Sequence, residues 1–282
     1  MEVEKQAAHW LDENHPNYKR WKRSRGISLQ RGEFVKYLTE KTIKAAGLTV
    51  LDLGSGEGGT SVAFANNNKV ISFDISLLRL QRQISNVAKY NKVLGSAMQL
   101  PFKNNKFDLI ILQDVIEHLT DAKKVIGEIS KILNPGGTIF MSTPNKYSLY
   151  NLLADPHWGF PFVAIMNRKQ QKKYFLPLFR KSEINRTDTA QLFSLKELGD
   201  LLSDSFELEL KTITAVQELF NGNKGIIWSN FHLRLLTIIK TLKLEKLVLF
   251  FVNNNVGIIN SYFTPTFYFL LKKKQPHKNS SV

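Results

Sequence analysis

Glycines at 54, 56, 58 and 59, entered from the apolar Val50, Leu51 and Leu53 and followed at a distance by Asp74, are the residues whose types and spacing point most directly to chemistry. A loop without side chains lets a ligand approach the backbone, and N–H groups at the start of a following helix favour an anion. Lys69-Val-Ile-Ser-Phe-Asp74 reads as a second strand, ending on a carboxylate 20 residues after Gly54. That is the separation at which the next parallel strand presents an acid to ribose hydroxyls. Two adjacent strand tips are therefore expected to hold one adenosine. Glycine spacing alone leaves the ligand open: Gly54, Gly56 and Gly59 satisfy GxGxxG, while Gly54, Gly56 and Gly58 satisfy GxGxG.

Other chemistries leave little trace. With no cysteine there is neither a disulfide framework nor a thiolate metal site. The six histidines and the carboxylates show no HExxH-like spacing, so no metal is expected, and no GxSxG elbow occurs.

The elements that must position the loop alternate from Thr49 onward. Strands are expected at 49–53, 69–74, near Val93-Leu94, at 107–113 and at 137–143, with helices at 59–66, 76–91 and 120–132. Alternation of this kind makes a parallel sheet, and Leu109-Ile-Ile-Leu112, apolar on both faces, reads as a strand covered by helices on both sides. Asn134-Pro-Gly-Gly137 should end a helix and turn into a strand. Ser194-Leu-Lys-Glu197 is a capping-box start for a helix at 195–203, ahead of strands at 206–213 and 262–271, the latter interrupted by Pro265 as an edge or bulge would be. Residues 1–46 read as helical, with Phe34, Val35, Leu38 and Ile43 as an apolar stripe. Segments 146–190 and 215–260 break the alternation and read as insertions.

Downstream of the glycine loop, GSAMQLPFKNNKFDLIILQDVIEHL (95–119) and LNPGGTIFMSTPN (133–145) follow in an order and at distances that resemble class I S-adenosylmethionine-dependent methyltransferases, especially the small-molecule, type 11-like branch. The resemblance is carried by residues 45–145, and by the pattern of elements alone over 190–272. It implies an α/β fold: a Rossmann-like seven-stranded sheet with helices on both faces, the last strand antiparallel, and helical cap insertions. A helical lid at 1–46 and a methyltransferase domain at 47–282 follow from it.

The implied cofactor is S-adenosyl-L-methionine, whose sulfonium methyl transfers by in-line displacement. Backbone N–H groups of Gly54, Ser55, Gly56 and Gly58 would meet its carboxylate, with Asp52 fixing the loop or reaching the amino group. Asp74 would accept from the ribose. Ser96, Ala97 and Met98 would border the adenine, Ser96 standing where related enzymes usually have an aspartate. Gln113 and Asp114 would lie near the transferring methyl. Glu117 or His118 either faces the substrate or caps a helix. His157, in the aromatic DPHWGF stretch of the insertion after the fifth strand, is a candidate general base for an acceptor hydroxyl, with packing as the alternative. An Asn-Pro-Pro-Tyr type tetrad, the mark of amino-group methylation, is absent where Gln113-Asp114-Val115-Ile116 stands. An oxygen acceptor is expected, on a small molecule, a glycan or a lipid-linked compound, with carbon and sulfur acceptors as the alternatives. An RNA methyltransferase, a non-catalytic cofactor-binding scaffold and a nicotinamide dehydrogenase are the competing readings.

Across 282 residues, 39 Lys and Arg against 24 Asp and Glu give a formal charge of +15, which favours anionic partners. Clusters at Lys19 to Arg25, Arg168 to Lys173 and Lys272 to Lys274 come with no recognisable nucleic-acid module, so nucleic acid is not the expected partner. Residues 226–252 are apolar but interrupted by Arg234, Lys240, Lys243, Glu245 and Lys246 before a span of about 20 apolar residues forms. A basic amphipathic segment of that kind either caps the core or lies on a membrane surface. The polar, acidic first sixteen residues lack a signal-peptide pattern, giving the expectation of a cytoplasmic protein, peripheral to a membrane at most. Oligomeric state is left open.

Overall fold

Strands β1 (Thr49–Leu53), β2 (Lys69–Asp74), β3 (Asn91–Leu94), β4 (Phe107–Gln113), β5 (Leu133–Pro144), β6 (Phe206–Leu210) and β7 (Thr266–Lys273) form one sheet in the order β3-β2-β1-β4-β5-β7-β6 in the computed structural model. The structure describes residues 9–83, 89–186, 188–222, 227 and 230–274. Strands β1 to β5 pair in parallel, and β7 runs antiparallel to both neighbours. The order reverses between β1 and β4, which opens a crevice at their carboxyl ends.

The helices are α1 (Tyr18–Gly26), α2 (Ser28–Glu40), α3 (Gly59–Ala65), α4 (Leu77–Arg82), α5 (Ala122–Ile132), α6 (Leu149–Leu153), α7 (Arg168–Gln170), α8 (Leu176–Phe179), α9 (Leu195–Leu202), α10 (Thr212–Phe220), α11 (Asn230–Thr241), α12 (Glu245–Phe251) and α13 (Ile258–Tyr262). They cover both faces of the sheet. On one, α5 and α9 bury Val125, Ile126, Ile129, Leu195, Leu198 and Leu202 against Leu51, Ile110 and Phe269. On the other, Phe34, Val35 and Leu38 of α2 and Phe64 of α3 meet Val50, Val70, Leu109 and Ile111. Leu109 to Leu112 are all buried, as a strand sandwiched between helical layers must be. The capping box at Ser194 is formed, Glu197 N–H donating to Ser194 Oγ and Ser194 N–H to Glu197 Oε2.

Several boundaries differ from expectation for local reasons. Leu133 already pairs with Phe107, so β5 begins at once after α5; Asn134 to Gly137 form an irregularity inside the strand, with Gly136 at φ +76°. Strand β6 stops at Leu210, because Thr212 turns into α10 with its hydroxyl donating to buried Asn260. Tyr262 closes α13, and Pro265 precedes β7, an interior strand rather than an edge. Helix α4 ends at Arg82; residues 84–88 of the helix expected over 76–91 lie outside the described residues. Among the described residues no helix is long and apolar enough to cross a membrane.

Candidate active site

A polar cavity of about 220 Å³ occupies the crevice where β1 and β4 diverge, walled by Gly54, Ser55, Gly56, Gln113, His118 and His157. These six come together from the residues marked in the sequence. Trp10, Trp21 and Arg25, from the segment expected as a lid, complete much of the wall together with Arg31, Arg79, Arg186 and Asp188, which carried no local signal.

The glycine loop is tied down from below. Gly54 and Ser55 both donate N–H to Phe73 O of β2, at 2.8 and 3.1 Å, and Gly54 has φ +75°, where a Cβ would lie 2.5 Å from Val115 Cγ2. Ser55 Oγ joins Ser72 Oγ (2.7 Å) and Gln83 Nε2 (3.0 Å), and Gln83 Nε2 also donates to Gly56 O. Gly56, at φ +54°, meets the Arg79 guanidinium 3.3 Å from where its Cβ would stand and Gly54 O at 4.0 Å, and it lies on the cavity wall without a side chain. Gly58 N–H turns back to Ser55 O at 2.9 Å.

Two acids brace this loop. Asp52 is buried and accepts from Ser61 Oγ of α3 at 2.6 Å, so it fixes the helix start; burial pushes its pKa up to about 7. Asp74 accepts Gly56 N–H on Oδ2 and Ser76 N–H on Oδ1, both at 2.8 Å. Asp52, Gly58 and Asp74 thus lie behind the cavity wall. Ser96, Ala97 and Met98 also stand apart from it: Ser96 Oγ accepts from Met98 N–H at 3.3 Å, and Ala97 and Met98 pack on the core.

At the tip of β4, Thr60 Oγ1 donates to Gln113 Oε1 at 2.7 Å, latching α3 to the strand. Asp114 takes the left-handed backbone (φ +54°), is paired with Arg31 of α2 and accepts from Ser142 Oγ at 2.7 Å. The 3-10 turn Ile116–His118 follows. Its Glu117 is fully buried; Thr143 Oγ1 donates to Oε2 at 3.0 Å, while Oε1 receives no hydrogen bond and lies 3.9 Å from His157 Nε2. Burial, and then the neighbouring Asp114, raise the Glu117 pKa well above the carboxylate range. His118 approaches the carbonyl oxygen of Asp188 with Nδ1 (3.2 Å), and its ring meets that of His157 edge-on at 5.1 Å.

His157 is held by its backbone. Asp155 Oδ1 accepts N–H from His157 (2.8 Å) and Trp158 (2.7 Å), Asn17 Nδ2 donates to His157 O, and Arg20 Nη2 donates to Asp155 O. Burial lowers the pKa of His157 well below the imidazole value, with His118 adding to the effect. His118, which keeps a solvent-facing edge, is lowered less strongly, again chiefly by burial. Burial thus favours the uncharged form of both rings.

Three of the arginines are engaged within the protein. Arg25 Nη1 donates to Trp10 O at 2.7 Å, Arg79 lies 5.2 Å from the Trp10 ring centre, and Arg168 Nη2 donates to the carbonyls of Glu117 (2.7 Å) and Leu119 (2.9 Å).

Comparison with known proteins agrees with this geometry. Residues 44–183 match a family described as a methyltransferase domain. An uncharacterised protein of Methanocaldococcus jannaschii is 34% identical over 143 residues, 50% of this chain and 60% of its own length. A demethylmenaquinone methyltransferase of Lactiplantibacillus plantarum is 31% identical over 164 residues, 54% of this chain and 67% of its own. Relatives named for carbon, nitrogen and oxygen methylation also match, and the chain spans 60%, 67% and 40% of the length of three curated relatives. In fold, the chain is similar to the methyltransferase solved in complex with the Trm112 methyltransferase activator of Haloferax volcanii, with a TM-score of 0.54 at 15% identity over 93% of this chain and 99% of that one.

Proposed function

Since this chain belongs to the S-adenosylmethionine-dependent methyltransferases, we propose that it methylates a hydroxyl on a small molecule bearing an apolar tail, such as a lipid-linked compound. The observation that carries the tail is a second cavity, of about 500 Å³, enclosed by α10 to α13 and lined almost wholly by apolar side chains such as Val216, Leu219, Leu236, Ile239 and Phe263. Helix α1 walls the polar cavity with Trp21, Ser24 and Arg25 and also reaches α11, one of the helices around the apolar cavity, where Arg23 Nη1 donates to Asn230 Oδ1.

S-adenosylmethionine, the cofactor of the family, supplies an electrophilic methyl on a sulfonium. The loop fits such a group, because a Cβ on Gly56 would fill the open side of the cradle beside Arg79. In this reading Gly54, Ser55, Gly56 and Gly58 give the backbone cradle, and Asp52 holds it through Ser61. Asp74 accepts from the ribose hydroxyls on exchanging its bond to Gly56, Ser96, Ala97 and Met98 border the adenine, and Gln113 orients the reacting end. Residues 1–46 act as the lid over a methyltransferase domain at 47–282, with the insertions at 146–190 and 215–260 shaping the acceptor pocket. His157, beside His118 and backed by Glu117, takes part in removing the hydroxyl proton.

An anionic membrane surface is the proposed source of the acceptor. Ile238, Leu242, Leu247 and Phe250 of the α11 to α12 region are exposed beside Lys243 and Lys246, a composition suited to the interfacial plane.

Transfer from labelled S-adenosylmethionine to an isoprenyl-tailed phenol, against the same phenol without its tail, tests the reading. A gain in kcat/KM of about a hundredfold for the tailed compound is expected from burying several CH2 units. Equal rates would remove the apolar cavity from the reading, and methylation at carbon or nitrogen would displace the hydroxyl. Replacement of His157 by Gln should lower turnover by about 100-fold or more with cofactor affinity unchanged.

A further inference from the structure

The geometry points to a site for one divalent transition-metal cation at Glu117, His118 and His157, on the wall of the polar cavity. A carboxylate oxygen and one nitrogen from each imidazole lie within 4.8 Å of one another. Ligands at about 2.1 Å from a common ion stand up to about 4 Å apart, so small side-chain adjustments bring all three into contact with one ion. The Glu117 Oε1 to His157 Nε2 separation, 3.9 Å, already meets that limit.

Three features separate this cluster from an accidental meeting of polar groups. Glu117 is fully buried and, among the described residues, Oε1 receives no hydrogen bond, so a carboxyl oxygen in the protein interior faces a histidine nitrogen 3.9 Å away, beyond hydrogen-bond reach. A cation there would supply the missing partner. The second feature is the state of His118. A carbonyl oxygen only accepts, so in a neutral ring the 3.2 Å contact between Nδ1 and Asp188 O calls for the proton on Nδ1 and leaves the Nε2 lone pair for an ion. Metal-binding histidines are oriented by bonds of this type. Third, the other oxygen of Glu117 is fixed by Thr143 Oγ1, and the His157 backbone is fixed by Asp155, so neither ligand depends on a mobile segment for its position.

Two imidazoles and one carboxylate select a first-row ion such as Mn²⁺, Fe²⁺, Co²⁺ or Zn²⁺ over Mg²⁺ or Ca²⁺, which take oxygen donors. Among the described residues three protein ligands converge, and His118 and His157 line the cavity, so open coordination positions face the place where an acceptor enters. A cation held there lowers the pKa of a hydroxyl that reaches it. The role given to this ion rests on the methyltransferase reading; its binding does not. With the ion in place, His157 is a ligand rather than a free base. Sequence spacing concealed the arrangement, because His157 lies 39 residues beyond His118 and is brought back by the insertion after β5.

The full chain, stripped with EDTA and dialysed, should bind about one equivalent of Mn²⁺, read as loss of the free-ion electron paramagnetic resonance signal, and of Co²⁺, read by visible absorption. Both should raise the melting temperature. His118→Gln and His157→Gln should weaken Mn²⁺ at least tenfold while binding S-adenosylhomocysteine as wild type does, which also shows that they fold; Glu117→Gln, at a buried position, is the third variant. Failure of wild type to bind either ion at micromolar concentration, or unchanged binding in the histidine variants, overturns the proposal. S-adenosylhomocysteine binding without Mn²⁺ binding would sink the metal site alone. The reverse result would sink the methyltransferase reading and leave the metal site standing.

Discussion

Gly32 of α2 and Gly59 at the start of α3 touch backbone to backbone: a methyl group on Gly32 would overlap the carbonyl oxygen of Gly59, and one on Gly59 would overlap that of Ser28. The helix ahead of the sheet and the helix that follows the glycine loop are thereby packed with no room for a side chain at either glycine. Gly32→Ala gains helix propensity but must push the helices apart, and overpacking wins. A loss of about 1–3 kcal/mol is expected by chemical or thermal denaturation, with weaker S-adenosylhomocysteine binding because α3 carries the end of the loop. An unchanged melting temperature would contradict the contact.

Asp74 is predicted to matter for affinity more than for folding. Asp74→Asn keeps one acceptor oxygen for Gly56 or Ser76 but loses the charge that a ribose diol would meet. Calorimetry should show S-adenosylhomocysteine affinity down by about tenfold or more, the value of a charge-assisted hydrogen bond. Wild-type affinity would remove Asp74 from the ribose.

Asp52 makes stability depend on pH. Its folded pKa is raised from 3.8 to about 7 by burial, so the folded state holds the proton more tightly than the unfolded chain. Its contribution is complete below about pH 4 and is lost as pH rises through about 7, at up to about 1.4 kcal/mol per pH unit. Cofactor-free protein should therefore be less stable at pH 8 than at pH 5, and Asp52→Asn, which still accepts from Ser61, should flatten that slope. Identical slopes in the two proteins would refute the assignment.

Val216 lines the apolar cavity, and Val216→Trp should fill part of it. Activity on a tailed acceptor is expected to fall by about tenfold or more while activity on a short one holds, as loss of buried apolar contact requires. A uniform fall in both would mean that the cavity does not select the tail.

The sheet was legible in the chain because its signals are local. Leu109 to Leu112 announce a doubly covered strand, Ser194 and Glu197 a helix start, and Gly54 to Gly59 a strand-to-helix loop. The site was legible where its residues follow directly from a strand tip, as Ser55 and Gln113 do, and at His157, which its aromatic stretch in the insertion after β5 marked out. Arg31 pairs with Asp114 across 83 residues, and Trp10 reaches Arg79 from a segment with no periodic pattern, so spacing could not reveal them. Lys211-Thr-Ile-Thr reads as strand from its β-branched residues, yet the buried Thr212 to Asn260 bond makes it a helix start. Pro265 was misleading in another way. Placed one residue ahead of β7, it has no N–H to lose, and its carbonyl accepts from Asn145, so an interior strand tolerates it.

That strand has a bearing on how the molecule is made. Because β7 lies between β5 and β6, neither of those can complete its hydrogen bonding until residues 266–273 have left the ribosome. Throughout synthesis the nascent sheet carries the bare edge of β5, with its apolar residues open to other chains, and premature termination before that point would yield an aggregation-prone product however well the first five strands have assembled.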